Sequence, residues 1–215
     1  IRLFYLYPTY FDDELLHVIL TEDKICKYVD IPLQHISDPV LQRMHRRDSS
    51  ESIRTLLHKL RAASPRMTIR TTLMVGFPGE TEKDFKELCD FIKEVRFDDM
   101  GAFKFSPQEG TPAARMTDQI EEEVKENRYH ELMAIQAGIS EENNENLIGV
   151  ETEALVEELV DDGEGHMQAK GRTAFQAPEV DGNVYIDNPG DLKPGDFVKV
   201  KIVDGYAYDL IAERI

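Results

Sequence analysis

Residues 71–85, T-T-L-M-V-G-F-P-G-E-T-E-K-D-F, constrain the fold of this chain more than any other stretch. An apolar run ends at Val75-Gly76, and Pro78 and Gly79 allow a sharp reversal. Thr81 then suits a helix N-cap, with Asp84 three residues on in place of the usual Glu or Gln of a capping box. The unit is strand, tight turn, helix. In architectures built from it, ligands sit beyond the C-terminal ends of the strands. A turn with so little side chain also lets a ligand approach the backbone closely.

The same rhythm fills the first two-thirds of the chain. Strand-like runs fall at residues 2–7, 28–34, 67–77 and 100–106. Helical periodicity occupies the gaps: 11–20, a short helix with Pro39 in its first turn capped by Ser37 or Asp38, and a helix starting near Asp48 or Ser49. Two more follow at 85–95 and from 118 to about 146. Alternation of this kind implies a parallel sheet with right-handed crossovers. Four units cannot close an eight-stranded barrel, so part of a barrel or an open one is expected over residues 1–146.

Side chains alternate along a strand. Ile69, Thr71, Leu73, Val75 and Phe77 would share the face against the helices, and Arg70, Thr72, Met74 and Gly76 the opposite, interior face. Val29, Ile31 and Leu33 are likewise opposed to Asp30, Pro32 and Gln34, and Phe103 and Phe105 to Lys104 and Ser106. The polar interior sets near the strand ends suggest a polar ligand.

From residue 147 the pattern changes to five short strands, at 150–159, 167–174, 184–186, 197–203 and 208–211. Asp162-Gly163, Asp181-Gly182-Asn183, Asn188-Pro189-Gly190, Pro194-Gly195-Asp196 and Asp204-Gly205 separate them. Five antiparallel strands over residues 147–215 make a small all-β barrel. Between Asn146 and Ile215 there are 15 acidic and 6 basic residues, and the whole chain has a formal net charge of −17. Such a surface repels nucleic acid and attracts a basic protein. Phe175, Tyr185, Phe197, Tyr206 and Tyr208 mostly fit strand cores, which leaves few exposed rings for base stacking.

No run approaches membrane-spanning length, no signal peptide is visible, and the chain starts at Ile1 inside an apolar run, as a piece of a longer protein would. A cytoplasmic location is expected. The only cysteines are Cys26 and Cys89, so no metal-ligand spacing can be written and no metal site is expected in this chain.

The strings Asp30-Ile-Pro-Leu-Gln-His35, Arg70-Thr-Thr-Leu-Met-Val-Gly-Phe-Pro-Gly-Glu-Thr81, Phe103-Lys-Phe-Ser-Pro-Gln-Glu-Gly-Thr111 and Gly171-Arg-Thr-Ala-Phe-Gln-Ala-Pro-Glu-Val-Asp-Gly182 occur in order. Together they closely resemble the radical S-adenosylmethionine methylthiotransferases over essentially the whole chain. Arg-Thr-Thr before the turn, Glu-Gly-Thr and Ala-Pro-Glu-Val-Asp-Gly look like the branch acting on an aspartate of small-subunit ribosomal protein twelve. The tRNA-adenosine branch is the nearest alternative. The resemblance implies an α/β fold: a partial (β/α) radical-SAM barrel followed by a TRAM (OB-like) barrel.

It also implies S-adenosylmethionine and, in the full-length parent, two 4Fe-4S clusters whose cysteine ligands are absent here. The expected reaction is hydrogen abstraction from the aspartate β-carbon followed by sulfur insertion. Without cluster ligands this piece is expected to be inactive alone. By the same resemblance, Asp30, Gln34, Thr72, Met74, Gly76 and Phe77 would contact the cofactor, and Lys104 and Ser106 the substrate. No catalytic residue is assigned. The implied partner is ribosomal protein twelve or the ribosome, with neither membrane nor nucleic acid. A reading of another class is a non-catalytic acidic module that docks a basic ribosomal protein.

Overall fold

A computed structural model of the chain describes residues 1–161, 163 and 165–215. Two compact units are present, Ile1–Gln136 and Ala137–Ile215. The division falls within a helix, ahead of residue 147, where the strand rhythm of the sequence changes.

In the first unit three strands, β1 (Tyr28–Asp30), β2 (Thr68–Val75) and β3 (Asp99–Lys104), form a parallel sheet in the order β1-β2-β3. Helices α2 (Asp38–Arg43) and α3 (Ser50–Ala63) connect β1 to β2, and α4 (Glu82–Val95) connects β2 to β3. Helix α1 (Asp13–Thr21) precedes them and α5 (Glu122–Glu145) follows. Local chemistry sets the boundaries. The Asp12 side chain accepts from Leu15 N at the start of α1. Ser49 and Ser52 form a capping box on α3, and Thr81 with Asp84 the one foreseen on α4. The apolar faces of α3 (Ile53, Leu57, Leu60) and α4 (Phe85, Leu88, Ile92) pack on Val29, Ile69, Leu73 and Val75 in one core.

The strand foreseen at residues 2–7 is reduced to a single parallel bridge, Leu3 to Val29. Tyr5 lies in the left-handed region (φ 57°) and interrupts the ladder between the hydrogen bonds Asp30 N to Leu3 O and Leu6 N to Asp30 O.

The second unit is a closed barrel in the order β4-β5-β6-β8-β7, with β4 at Glu151–Asp161, β5 at Met167–Thr173, β6 at Val184–Asp187, β7 at Phe197–Gly205 and β8 at Leu210–Arg214. Inward-facing Val156, Ala169, Ile186, Val200, Ile202 and Ala212 fill it. One feature differs from the all-antiparallel expectation: β6 and β8 pair in parallel, because β7 lies between β8 and β4 and closes the barrel from the other side. The aromatic residues also depart from expectation. Phe197 is 67% exposed, and Tyr206 and Tyr208 are exposed too. Alternation along β7 turns Val198, Val200 and Ile202 inward and Phe197 outward. Of the expected Asp162-Gly163 turn, Asp162 lies outside the described residues.

Gly138, exposed in the middle of α5, has nothing within 4 Å of where a Cβ would sit. Gly138→Ala is therefore expected to stabilise by about 1 kcal/mol, through the lower entropy of its unfolded chain. Amide exchange across α5 should slow; unchanged exchange would contradict this.

Candidate functional site

At the C-terminal ends of the three strands lies a cleft of about 380 Å³. Gln34 follows β1, Met74 and Phe77 come from the end of β2 and its turn, and Thr111, Pro112, Ala113 and Met116 come from the segment after β3. Arg43, Met44, His45 and Arg46 contribute from the end of α2 and beyond. Phe77 packs edge-on against Phe105 with ring centroids 5.0 Å apart, and Val40 completes that small apolar cluster.

The turn after β2 is built around Glu80. Its Oε2 accepts from Gly76 N (2.5 Å) and Phe77 N (3.2 Å), and its Oε1 accepts from Arg128 Nη1 (3.1 Å). Arg128 also donates to the Glu80 carbonyl and to Glu82. Burial pushes the Glu80 carboxyl up to about 7, against the pull of Arg128 and the two N–H donors. Every donor points at an acceptor lone pair, which is the arrangement of a carboxylate. Gly76 (φ 73°) and Gly79 (φ 84°) take the left-handed positions of the turn. Gly79 lies against Arg43, which donates to the Pro78 carbonyl (2.8 Å) and pairs with Asp118.

Opposite the turn, Gln34 is held in a left-handed conformation (φ 70°) by Gln34 N to Thr72 O (2.9 Å) and Met74 N to Gln34 O (2.7 Å). His35 is fully buried, and its Nδ1 accepts from Ser37 N (3.0 Å), which leaves the proton on Nε2. Burial lowers the imidazole to about 4; Asp84 opposes that shift and Arg128 adds to it. A ring neutral in the folded state and protonated at 6.5 in the unfolded chain contributes stability fully present above pH 6.5 and lost as pH falls through about 4. The His35 imidazole resonances should accordingly titrate near pH 4 by NMR; a midpoint near 6.5 would contradict the burial argument.

The eight residues singled out in the sequence do not all converge. Gln34, Met74 and Phe77 meet in the cleft. Phe77 was placed against the helices by alternation, but the strand ends at Val75 and Gly76 turns the chain, so it joins Met74 instead. Asp30 is fully buried and spent on Arg70 (2.9 Å) and on Tyr5 N (3.0 Å). Thr72 lies next to the cleft-lining Met74 along β2 and offers its carbonyl to Gln34, while Gly76 faces the Lys125 side chain and not the cleft.

On β3 the faces are the reverse of those expected. Met100, Ala102 and Lys104 pair with Thr71, Leu73 and Val75, so they lie on the helix side, and Phe103, 61% exposed, shares the side of Met74. Lys104 is bound there by Glu122 (3.0 Å) and Glu126. Ser106 is exposed, with Gln108 Nε2 at 3.4 Å. Sequence reasoning passed over Glu80, Arg128 and the Arg43–Arg46 rim. The rim had a readable signal, a basic run in an acidic chain. Arg128 had none, because its partner lies 48 residues away.

Parallel strands, a ligand-sized cleft at their C-terminal ends and a separate five-stranded barrel define a class. Residues 3–92 match the Radical SAM superfamily and residues 148–215 the TRAM domain. Coproporphyrinogen III oxidase (HemN) from Escherichia coli, a radical SAM enzyme, shares the fold with a TM-score of 0.55 at 17% identity, over 65% of this chain and 32% of that one. Within the class, the sequence is similar to methylthiotransferases of the RimO type. It is 50% identical over all 215 residues to ribosomal protein uS12 methylthiotransferase RimO of Geotalea uraniireducens (strain Rf4), and 48% identical to that of Geobacter sulfurreducens. In both cases 100% of the chain covers 47% of the relative, so it spans about half their length.

The superfamily uses S-adenosylmethionine with a 4Fe-4S cluster, and the two groups fit this chain differently. The cleft has the size of a small-molecule site, and its apolar floor with Gln34 and two arginines suits a nucleoside and a carboxylate. The cysteines do not fit a cluster. Cys26 precedes β1, and Cys89 is buried in α4 with its thiol pushed up to about 11, chiefly by burial. Among the described residues no three His, Cys, Asp or Glu side chains converge as metal ligands. None of the described helices is long and apolar enough to cross a membrane.

Proposed function

We propose that the cleft binds S-adenosylmethionine and that the whole protein transfers a methylthio group to the β-carbon of an aspartate in small-subunit ribosomal protein twelve. The observation that carries this reading is 50% identity, over all of this chain and 47% of the relative, to a protein named a methylthiotransferase of ribosomal protein uS12; the aspartate rests on the motif strings alone. The cleft supports it from the side of geometry. Phe77 and Met74 offer apolar surface to a purine, Gln34 an amide to ribose hydroxyls, and Arg43 and Arg46 charge to a carboxylate. The radical chemistry is supplied by the cluster and cofactor when bound. What this chain contributes is binding, orientation and exclusion of water. In this reading the second unit docks the basic substrate protein through its excess of acidic residues, and the protein works in the cytoplasm.

The test is binding of the chain to purified ribosomal protein twelve and, separately, to tRNA, each across a salt series. Binding to the protein that weakens as salt screens the charges supports the reading. The exposure of Phe197, Tyr206 and Tyr208 makes the tRNA arm necessary, since such rings can stack on bases. Preference for tRNA would move the protein to the nucleoside-modifying branch. For the cleft, calorimetry with S-adenosylhomocysteine should show binding that Gln34→Ala weakens about tenfold, a loss equal to one hydrogen bond of about 1.4 kcal/mol.

A further inference from the structure

The carboxylate of Asp84 does more than cap its own helix. Its Oδ2 accepts from Thr81 N (2.8 Å) and Thr81 Oγ1 (2.5 Å), which completes the capping box of α4. Its Oδ1 accepts from Ser37 Oγ (2.5 Å), a residue 47 positions earlier in the loop after β1. A capping box needs no such second partner. Burial alone would raise this carboxyl; the Ser37 and Thr81 donors outweigh it and hold it below the usual aspartate range.

Ser37 forgoes a local bond to make this one. It stands at the N-cap of α2, yet its hydroxyl caps nothing there. Asp38, in the first turn of α2, is also committed elsewhere, to Ser50 N (2.7 Å). A serine at an N-cap normally bonds the exposed N–H groups of its own helix, so the long-range bond is bought at the expense of a local one.

The bond links two walls of the cleft. On one side the chain runs from Ser37 through the buried His35 ring to Gln34, the left-handed residue that lines the cleft. On the other it runs from Thr81 to the turn in which Glu80 holds Gly76 N and Phe77 N. We propose that Asp84 is a positioning residue that, through Ser37 and Thr81, fixes Gln34 and Phe77 against one another across the cleft. Its meaning for ligand binding rests on the reading of the cleft as the S-adenosylmethionine site. Its meaning for the order of the walls does not.

The experiment compares Ser37→Ala, Ser37→Thr and Thr81→Ala with the unaltered chain by amide hydrogen exchange and by calorimetry with S-adenosylhomocysteine. Ser37→Ala should speed exchange at the Gln34 and Met74 amides about tenfold while leaving the α4 amides as they were. Ser37→Thr, which keeps the hydroxyl, should restore protection. Thr81→Ala should loosen the start of α4 and the Phe77 amide first. Affinity for S-adenosylhomocysteine should fall about tenfold in Ser37→Ala and return in Ser37→Thr. Unchanged exchange at Gln34 and Met74, or a uniform rise across residues 1–136, would overturn the proposal. So would disturbed exchange with unchanged affinity. If the unaltered chain binds no S-adenosylhomocysteine, the reading of the cleft fails, and the exchange data still decide whether Asp84 orders its walls. Should Ser37→Ala not fold, Ser37→Cys replaces it, since a thiol fills similar space but is only a weak donor to Asp84.

Discussion

Glu80→Ala is expected to destabilise the unit Ile1–Gln136 by about 3–5 kcal/mol, the cost of breaking a buried ion pair from one side. The Glu80 side chain is wholly buried and that of Arg128 is 9% exposed. Without the carboxylate, Arg128 keeps the residue-80 carbonyl, the exposed Glu82 and the Phe85 ring, and the N–H groups of residues 76 and 77 lose their acceptor. Exchange at β2 amides reports the loss, and protection in the second unit should not change. A variant within about 0.5 kcal/mol of the parent would mean that the turn holds itself through its glycines alone.

Gly182→Ala is expected to cost the barrel about 3 kcal/mol, the upper end of what overpacking normally does. A Cβ at this position would overlap the Tyr208 carbonyl group, backbone against backbone, so no rotamer change can relieve it. The two segments cannot simply part, because Asn183 N donates to Asp209 Oδ1 (2.8 Å) and Leu210 N to the Asn183 carbonyl (2.9 Å). Those bonds lead directly into the β6–β8 ladder. Exchange of the β6 and β8 amides separates this effect from changes elsewhere. Equal protection in variant and parent would show that the ladder shifts to accommodate a methyl group at no cost. Gly138→Ala serves as the contrast, since there the added carbon meets nothing.

Much of this architecture was legible because local signals and the final packing agree. The Thr81–Asp84 box, the glycine turn and the apolar face of α4 are each readable from a few adjacent residues, and each is present. What stayed hidden depends on residues far apart in the chain. Arg128 joins Glu80 across 48 positions and Ser37 joins Asp84 across 47, and no periodicity announces either. The cleft was read in part for the same reason. Gln34 and Met74 follow from alternation, while the placement of Phe77 depends on where the strand stops. Residues 2–7 looked like a strand by composition, and only the left-handed Tyr5 shows why they are not one.

Strand β3 carries the clearest conflict between pattern and packing. By apolarity alone, Phe103 and Phe105 belong against the helices and Lys104 away from them, one residue out of step with the ladder that forms. Met100 and Ala102 decide otherwise, since in the ladder that forms they pack against the core, and the ends are tied by polar contacts. Just before the strand, Asp98 accepts from Ile69 N (2.8 Å) and Arg61 (2.9 Å), and at its end Lys104 is bound by Glu122 and Glu126. Phe105 still finds shelter against Phe77, so Phe103 alone bears the cost of this alignment. One ring is left in solvent so that two smaller side chains can stay in the core.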